Sequence, residues 1–248
     1  SSDVCSSDLF ILFIRYKEGW FKMKILLIDD EESILNLVRM NLVLEGFDVV
    51  TSATGNNGIK AFQDENPDLV LLDLMLPDLD GYEVMKIMQK INRKIPIILL
   101  TAKGQLNDKL LGLQLGADDY ITKPFDSREI ILRIRAISRR INQSKRLNEN
   151  AENKIEKGFI MLLKAERKIF IDSIEVKFTF REFETLNLLM QNINKVFTRT
   201  ELLKKLWGYD YEGNTRAVDI HIERIRKKLK NHGNAIQTIY GAGYRLEV

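Results

Sequence analysis

Five residues stand where the chain leaves apolar runs. Asp29 and Asp30 follow "KILLI" (24–28), Asp73 follows "LVLL" (69–72), Thr101 follows "IPIILL" (95–100), and Lys123 comes just after "DYI" (119–121). Carboxylates brought together repel one another, so they share a site only if cations neutralise them or a pKa rises. Oxygen ligands suit Mg²⁺, which binds through one or two carboxylates, retained waters and a substrate phosphate. Lys123 supplies further positive charge. Taken singly, each residue has a plainer reading: a solvated acidic loop, a helix N-cap at Asp73, a surface lysine. As a set they point to a cation-dependent phosphoryl site. Glu31 and Glu32, next in "IDDEES", fit the first turn of a helix, where the dipole favours acids.

For these residues to meet, the runs must be neighbouring strands of one sheet. "KILLI", "FDVV" (47–50), "LVLL", "IPIILL" and "DYI" alternate with stretches of helical periodicity, and Gly46 and Gly116 fall where helix C-caps belong. Continuous apolar runs predict strands buried on both faces, hence a parallel sheet covered by helices. Five such units over 23–141 predict an α/β, doubly wound, flavodoxin-like fold. In strand order 2-1-3-4-5, chemistry gathers at the carboxyl ends, and strands 1 and 3 bring Asp29, Asp30 and Asp73 together. Two other acidic motifs fail here. An EF-hand needs its 12-residue ligand spacing. The Asp-x-Asp of haloacid-dehalogenase phosphatases would need a second aspartate where Met75 stands.

The remainder differs. Residues 142–156, "NQSKRLNENAENKIE", read as a polar linker. Over 157–248 come three short strands, two capping boxes (Thr179 with Glu182, Thr198 with Glu201), a third helix "TRAVDIHIERIRKKLK" and a terminal hairpin around "GAG". This predicts a small α+β domain. Residues 23–141 carry 15 Lys+Arg against 18 Asp+Glu, whereas 142–248 carry 20 against 14, so the second half is basic and suited to a polyanion. The single cysteine, Cys5, excludes a disulfide framework and fits a reducing, cytoplasmic setting. No apolar stretch approaches the roughly 20 residues of a membrane span, so no membrane association is expected. Met23 is read as the start, with 1–22 a gene-model artefact or a disordered extension.

"IDDEE", "LLDLMLPDLDGYEV", "LLTAKG" and "YITKPF" resemble the receiver domain of two-component response regulators. The resemblance implies that Asp73 accepts a phosphoryl group from a sensor histidine kinase. It implies Mg²⁺ held by Asp30, Asp73 and the Met75 backbone carbonyl, with Asp29 acting through water. Lys123 would pair with the phosphoryl oxygens, Thr101 and Tyr120 would form the switch, and Pro124 would be cis. No enzymatic activity beyond the receiver's own phosphorylation and dephosphorylation is implied. "FTFREFETLNLLM", "VFTRTELLKKLWGYDYEGNTRAVDIHIERIRKKL" and "IQTIYGAGYRL" resemble the winged helix–turn–helix effectors of the OmpR/PhoB class. That implies double-stranded DNA as partner, RNA polymerase as a possible one, and a homodimer on phosphorylation. Lys109 with Glu129 and Asp119 with Arg133 are the expected cross-dimer pairs. For Asp118, pairing within one chain competes.

On the third helix, Val218, Ile222, Ile225 and Leu229 share one face, and a 100° wheel puts Arg216, Ile220, Glu223, Arg224 and Lys227 opposite. Arg224 is expected to read a base, Arg216 a phosphate, and Ile220 a thymine methyl. His221 lies at the edge, open to either phosphate contact or packing. Thr238 and Tyr240 place the hairpin on DNA, with Tyr240 along the sugar edge or packed on Tyr244. Trp207 is expected in the core. Two readings compete with a DNA-binding regulator: a receiver acting through protein contacts, and a DNA-binding protein indifferent to phosphorylation.

Overall fold

The computed structural model describes residues 23–102, 112–146, 153–208 and 215–248, over 142–146 the backbone alone. The first half contains β1 (Lys24–Ile28), α1 (Glu32–Leu44), β2 (Asp48–Ser52), α2 (Gly55–Glu65), β3 (Leu69–Asp73), α3 (Gly81–Ile91), β4 (Ile97–Ala102), β5 (Asp119–Lys123) and α4 (Ser127–Arg146). All five strands pair in parallel in the order β2-β1-β3-β4-β5. Alternation within the apolar runs explains the double burial. Leu26, Ile28, Val70, Leu72 and Leu99 pack on one face with Phe62, Val84, Met85 and Met88. Ile25, Leu27, Leu69, Leu71 and Leu100 pack on the other with Leu35, Val38, Leu42, Ile130 and Ile134.

Local chemistry sets the ends of these elements. Helix α1 stops at Gly46, whose φ of +89° is free to glycine, and the amides of Gly46 and Phe47 return to the carbonyls of Val43 and Leu42. Gly81 opens α3 directly beneath β3, where a Cβ would stand 2.4 Å from the Asp73 carbonyl oxygen. Glycine there lets the "PDLDG" turn close over the strand end, and Asp80 caps the helix by accepting from Tyr82 N at 2.7 Å.

The second half opens with an antiparallel sheet, β6 (Lys154–Lys157), β7 (Ile160–Leu163), β8 (Lys168–Ile171) and β9 (Ile174–Val176). Then come α5 (Phe180–Met190), β10 (Phe197–Thr198), α6 (Arg199–Trp207), α7 (Arg216–Lys228), and the strands β11 (Ile236–Ile239) and β12 (Gly243–Leu246), which form a second sheet with β10 in the order β10-β12-β11. Both capping acids act: Glu182 accepts from Thr179 N at 2.7 Å and Glu201 from Thr198 N at 2.8 Å. The linker expected over 142–156 is too long at both ends. Helix α4 continues to Arg146 and β6 begins at Lys154. Gln, Lys and Arg lose little rotamer freedom in a helix, so a polar run need not end one.

Candidate functional site

Strand register brings the expected acids to one sheet edge. Ile28 is level with Leu72, Asp73 with Leu100, and Ala102 with Lys123. Asp29 and Asp73 are buried and Asp30 is exposed, and one oxygen from each lies within 4.8 Å of the others. The Lys123 ammonium sits 2.7 Å from Asp29 Oδ2 and 2.6 Å from Asp73 Oδ2. Met75 N donates to Asp73 Oδ1 at 3.3 Å, which fixes the carboxylate plane. Burial pushes the Asp29 carboxyl upward, with the Asp73 charge adding to it, against the lowering by Lys123. Burial pulls Lys123 down, but its bonds to Asp29 and Asp73 outweigh this and hold its pKa above the ordinary value. The lysine is therefore charged at neutral pH. Thr101, 2 % exposed, keeps a buried Oγ1 without a hydrogen-bond partner among the described residues. A hydroxyl buried without a partner costs free energy, and a phosphoryl oxygen beside Asp73 would satisfy it. The all-oxygen donor set fits Mg²⁺. The Lys123–Pro124 peptide is cis. Tyr120 is half-buried on β5, level with Leu99.

Residues 25–135 match the family of response regulator receiver domains, and residues 173–246 match the C-terminal domain of transcriptional regulatory proteins. The chain is 43% identical over 231 residues to the alkaline phosphatase synthesis transcriptional regulatory protein PhoP of Bacillus subtilis (strain 168), covering 90% of this chain and 96% of that one. It is 31% identical to the response regulator DrrB of Thermotoga maritima, an OmpR/PhoB homolog, covering 92% and 100% of the two chains with a TM-score of 0.47. This chain is a response regulator with the C-terminal domain of transcriptional regulatory proteins. Two RitR variants align with TM-scores of 0.74 and 0.76 at 25% identity, over 91% of this chain and 99% of theirs. With a receiver and that effector domain it is a DNA-binding regulator of a two-component system.

Helix α7 of this regulator keeps Val218, Ile222 and Ile225 buried, as its spacing predicts, and Trp207 is core. Arg216, Glu223 and Lys227 are exposed. Two expected contacts, Ile220 and Arg224, are placed differently, and His221 takes the packing alternative. His221 is fully buried with its ring beside Trp207, and burial, with Arg224, Arg181 and Lys228 nearby, drives its pKa well below the ordinary range. It is a packed, neutral residue in this arrangement. Ile220 lies partly against the core instead of forming a free apolar tip. Arg224 is 12% exposed in its side chain, 2.8 Å from Glu182 Oε1 and donating to the Leu113 carbonyl at 2.7 Å. A single-helix wheel cannot register what a second helix and another domain bring to that face.

In the hairpin, the Thr238 hydroxyl accepts from Arg226 Nη2 at 2.7 Å, while the same guanidinium also bonds the Ile236 carbonyl. Arg226 thus ties α7 to the hairpin. Tyr240 is 95% exposed, which excludes packing on Tyr244. Tyr244 instead is buried and donates to Asp219 at 2.6 Å; burial and that bond push its pKa up to about 12.

The two domains meet across the receiver face formed by residues 112–115, β5 and α4. Asp118 Oδ1 accepts from Arg181 N at 2.6 Å, and its Oδ2 accepts from Ile97 N at 3.0 Å. Phe180 is buried in the same cluster as Ile121, Ile130 and Ile134. The expected cross-dimer pair Asp119–Arg133 is an intrachain contact of 2.8 Å, and Glu129 also binds Arg133, at 2.5 Å. An i,i+4 acid and the preceding strand hold the guanidinium within this chain. Lys109 lies outside the described residues.

Proposed function

We propose that a sensor histidine kinase transfers a phosphoryl group to Asp73, and that phosphorylation releases the effector to dimerise and bind promoter DNA. The unpartnered Thr101 hydroxyl beside the Lys123–Asp73 pair carries this reading. An Asp73 oxygen forms the new O–P bond while the P–N bond of the phosphohistidine breaks, and the imidazole leaves with the electron pair. Met75 N and Lys123 hold the nucleophile in place, Lys123 pairs with the phosphoryl oxygens as charge accumulates, and Thr101 donates to one of them. Asp29, Asp30, Asp73 and the Met75 carbonyl would hold Mg²⁺, which supplies charge neutralisation at the transferring oxygens. The receiver acts on no other substrate. Incubation with acetyl phosphate and Mg²⁺ tests this: one phosphoryl group is added per chain, and EDTA prevents it. No helix among the described residues is long and apolar enough to cross a membrane. A cytoplasmic regulator that contacts RNA polymerase at promoters fits this reading.

Docking and dimerisation draw on the same receiver face, so they compete. With a phosphoryl mimic at Asp73, light scattering should show a dimer, and a monomer under every condition tested counts against the scheme. Arg133 has intrachain partners, so pairing it across a dimer requires it to exchange them. Rim pairs of this kind contribute about 0–1 kcal/mol each.

On DNA, Arg224 has to leave Glu182 before it reads a base, whereas Arg216 and Tyr240 are exposed already. The Arg216→Ala variant should weaken binding to all duplexes and reduce the salt slope by about 0.9. For Tyr240→Arg, affinity should rise at low salt and the slope should steepen by about 0.9. Titrations with duplex DNA across several salt concentrations read both. An unchanged slope in the Tyr240 variant shows that the hairpin tip stays off the DNA.

A further inference from the structure

Away from the acid site, the end of α3 faces the effector's first sheet across a cavity of about 190 Å³. The receiver contributes Lys90, Arg93 and Lys94 to its walls, and the effector contributes Arg167, Lys168 and Lys177. Among the described residues, Glu175 is the single carboxylate lining it. Two domains have therefore docked with cations facing cations. Arg167 is answered by Glu184 at 2.8 Å and Lys168 by Glu166 at 3.3 Å. Among the described residues, two of the receiver's cations, Arg93 and Lys94, are not answered in this way. Arg93 Nε is buried without a hydrogen-bond partner among the described residues, and Lys94 Nζ reaches only the neutral carbonyl of Glu166, at 2.6 Å. Burial lowers the Lys94 pKa, and Lys168 and Arg167 across the cavity lower it further against Glu175 and Glu166. Burial lowers the Lys228 pKa on α7, and Arg93 adds to this against the raising by Glu182.

We infer that this interdomain cavity binds a small polyphosphate anion, two or three linked phosphoryl groups, which bridges the receiver and effector cations. The volume holds about six waters at ~30 Å³ each, enough for a pyrophosphate-sized group. A single phosphate reaches fewer of the six cations, which come from three separate segments. Guanidinium and ammonium groups, here half-buried at Arg93, Arg167 and Lys168 and exposed at Lys90, Lys94 and Lys177, recognise phosphoryl oxygens by charge-assisted bonds, Arg by its fork and Lys as a point charge. Relief of the cation repulsion makes the bound anion favour the docked arrangement.

The test is calorimetric titration of the full chain with inorganic pyrophosphate at low salt, with EDTA present so that metal-dependent binding at the acids does not contribute. Saturable one-to-one binding is expected. The Arg93→Ala, Lys94→Ala double variant should weaken it about tenfold or more, while both proteins still form the acetyl-phosphate adduct at Asp73. A Lys168→Ala variant on the opposite wall should also weaken it, which separates a bridging site from a receiver patch. A parallel titration with ADP distinguishes sources: tighter binding than pyrophosphate assigns a nucleotide, and equal binding a free phosphate chain. The inference is overturned if pyrophosphate does not saturate the site or if binding survives the double variant. It is also overturned if that variant loses duplex DNA affinity while pyrophosphate binding is unchanged, which makes the cleft part of a DNA path.

Discussion

Asp73→Asn abolishes the acid-stable, base-labile adduct formed with acetyl phosphate and Mg²⁺. The expected loss is complete, because the substitution removes the nucleophilic oxygen itself. Asp29 is no substitute. It is fully buried, and burial raises its pKa. Asp30 is exposed and lacks the grip of Lys123, whose ammonium contacts Asp29 and Asp73. The amide side chain fills the same space, so the fold survives and the variant should melt close to the parent. Intact-mass measurement before and after base treatment reads the adduct directly. Retention of a base-labile adduct in the variant transfers the role to another acid. DNA binding that responds to acetyl phosphate regardless would support a regulator indifferent to this aspartate.

Glu182→Gln carries the largest expected effect on stability. The carboxylate is fully buried, accepts from Thr179 N, lies 2.8 Å from Arg224, and pairs with Lys228. It closes the start of α5 and neutralises two cations of α7 together. Removing one member of a buried ionic cluster leaves charge uncompensated and costs about 3–5 kcal/mol. For an effector of this size, each kcal/mol shifts the melting temperature by about 4–8 °C. Calorimetry should place the variant effector well over ~10 °C below the parent, with phosphorylation at Asp73 intact; a shift under ~3 °C would falsify the cluster. The pH dependence has a definite sign. Burial raises the Glu182 pKa, but Arg224, Lys228 and the Thr179 amide hold it below the ordinary value. A depressed folded-state pKa means this stabilisation is present above about pH 4.5 and is lost as pH falls through the folded value. The Gln variant should lack that part of the acid transition.

The sheet and the acid site were legible for a common reason. An apolar run that ends in a carboxylate marks both a buried strand and the point where it reaches the surface, and strand order then decides which acids meet. Asp29, Asp73, Thr101 and Lys123 needed nothing more. The effector's DNA face was legible only in part. Helical spacing correctly buried Val218, Ile222 and Ile225, but a wheel has one axis and no neighbours. It could not show that α5 supplies Glu182 to Arg224, or that Leu113 of the receiver receives the same guanidinium. Pairing across a dimer was expected for Asp119 and Arg133 from the resemblance and their charges, and charge does not distinguish a partner subunit from a neighbouring strand of the same chain. Glu182 itself was visible as a capping acid, and nothing in its spacing announces the two cations it also holds.

Asp118 bears on how such chains can be recombined. One carboxylate oxygen receives an amide from the receiver and the other an amide from the effector, so the two halves are fitted to each other through backbone as well as side chain. A chimera joining this receiver to a foreign effector would place another residue at the position of Arg181. Its amide could still reach Asp118, but only if the new helix began at the same point and angle. Phe180 adds a shape requirement in the receiver's own core. Domain shuffling in this lineage is therefore limited by a steric and hydrogen-bonding signature at the seam, and exchanges that respect the DNA site and the phosphorylation site alone would yield proteins whose halves no longer restrain each other.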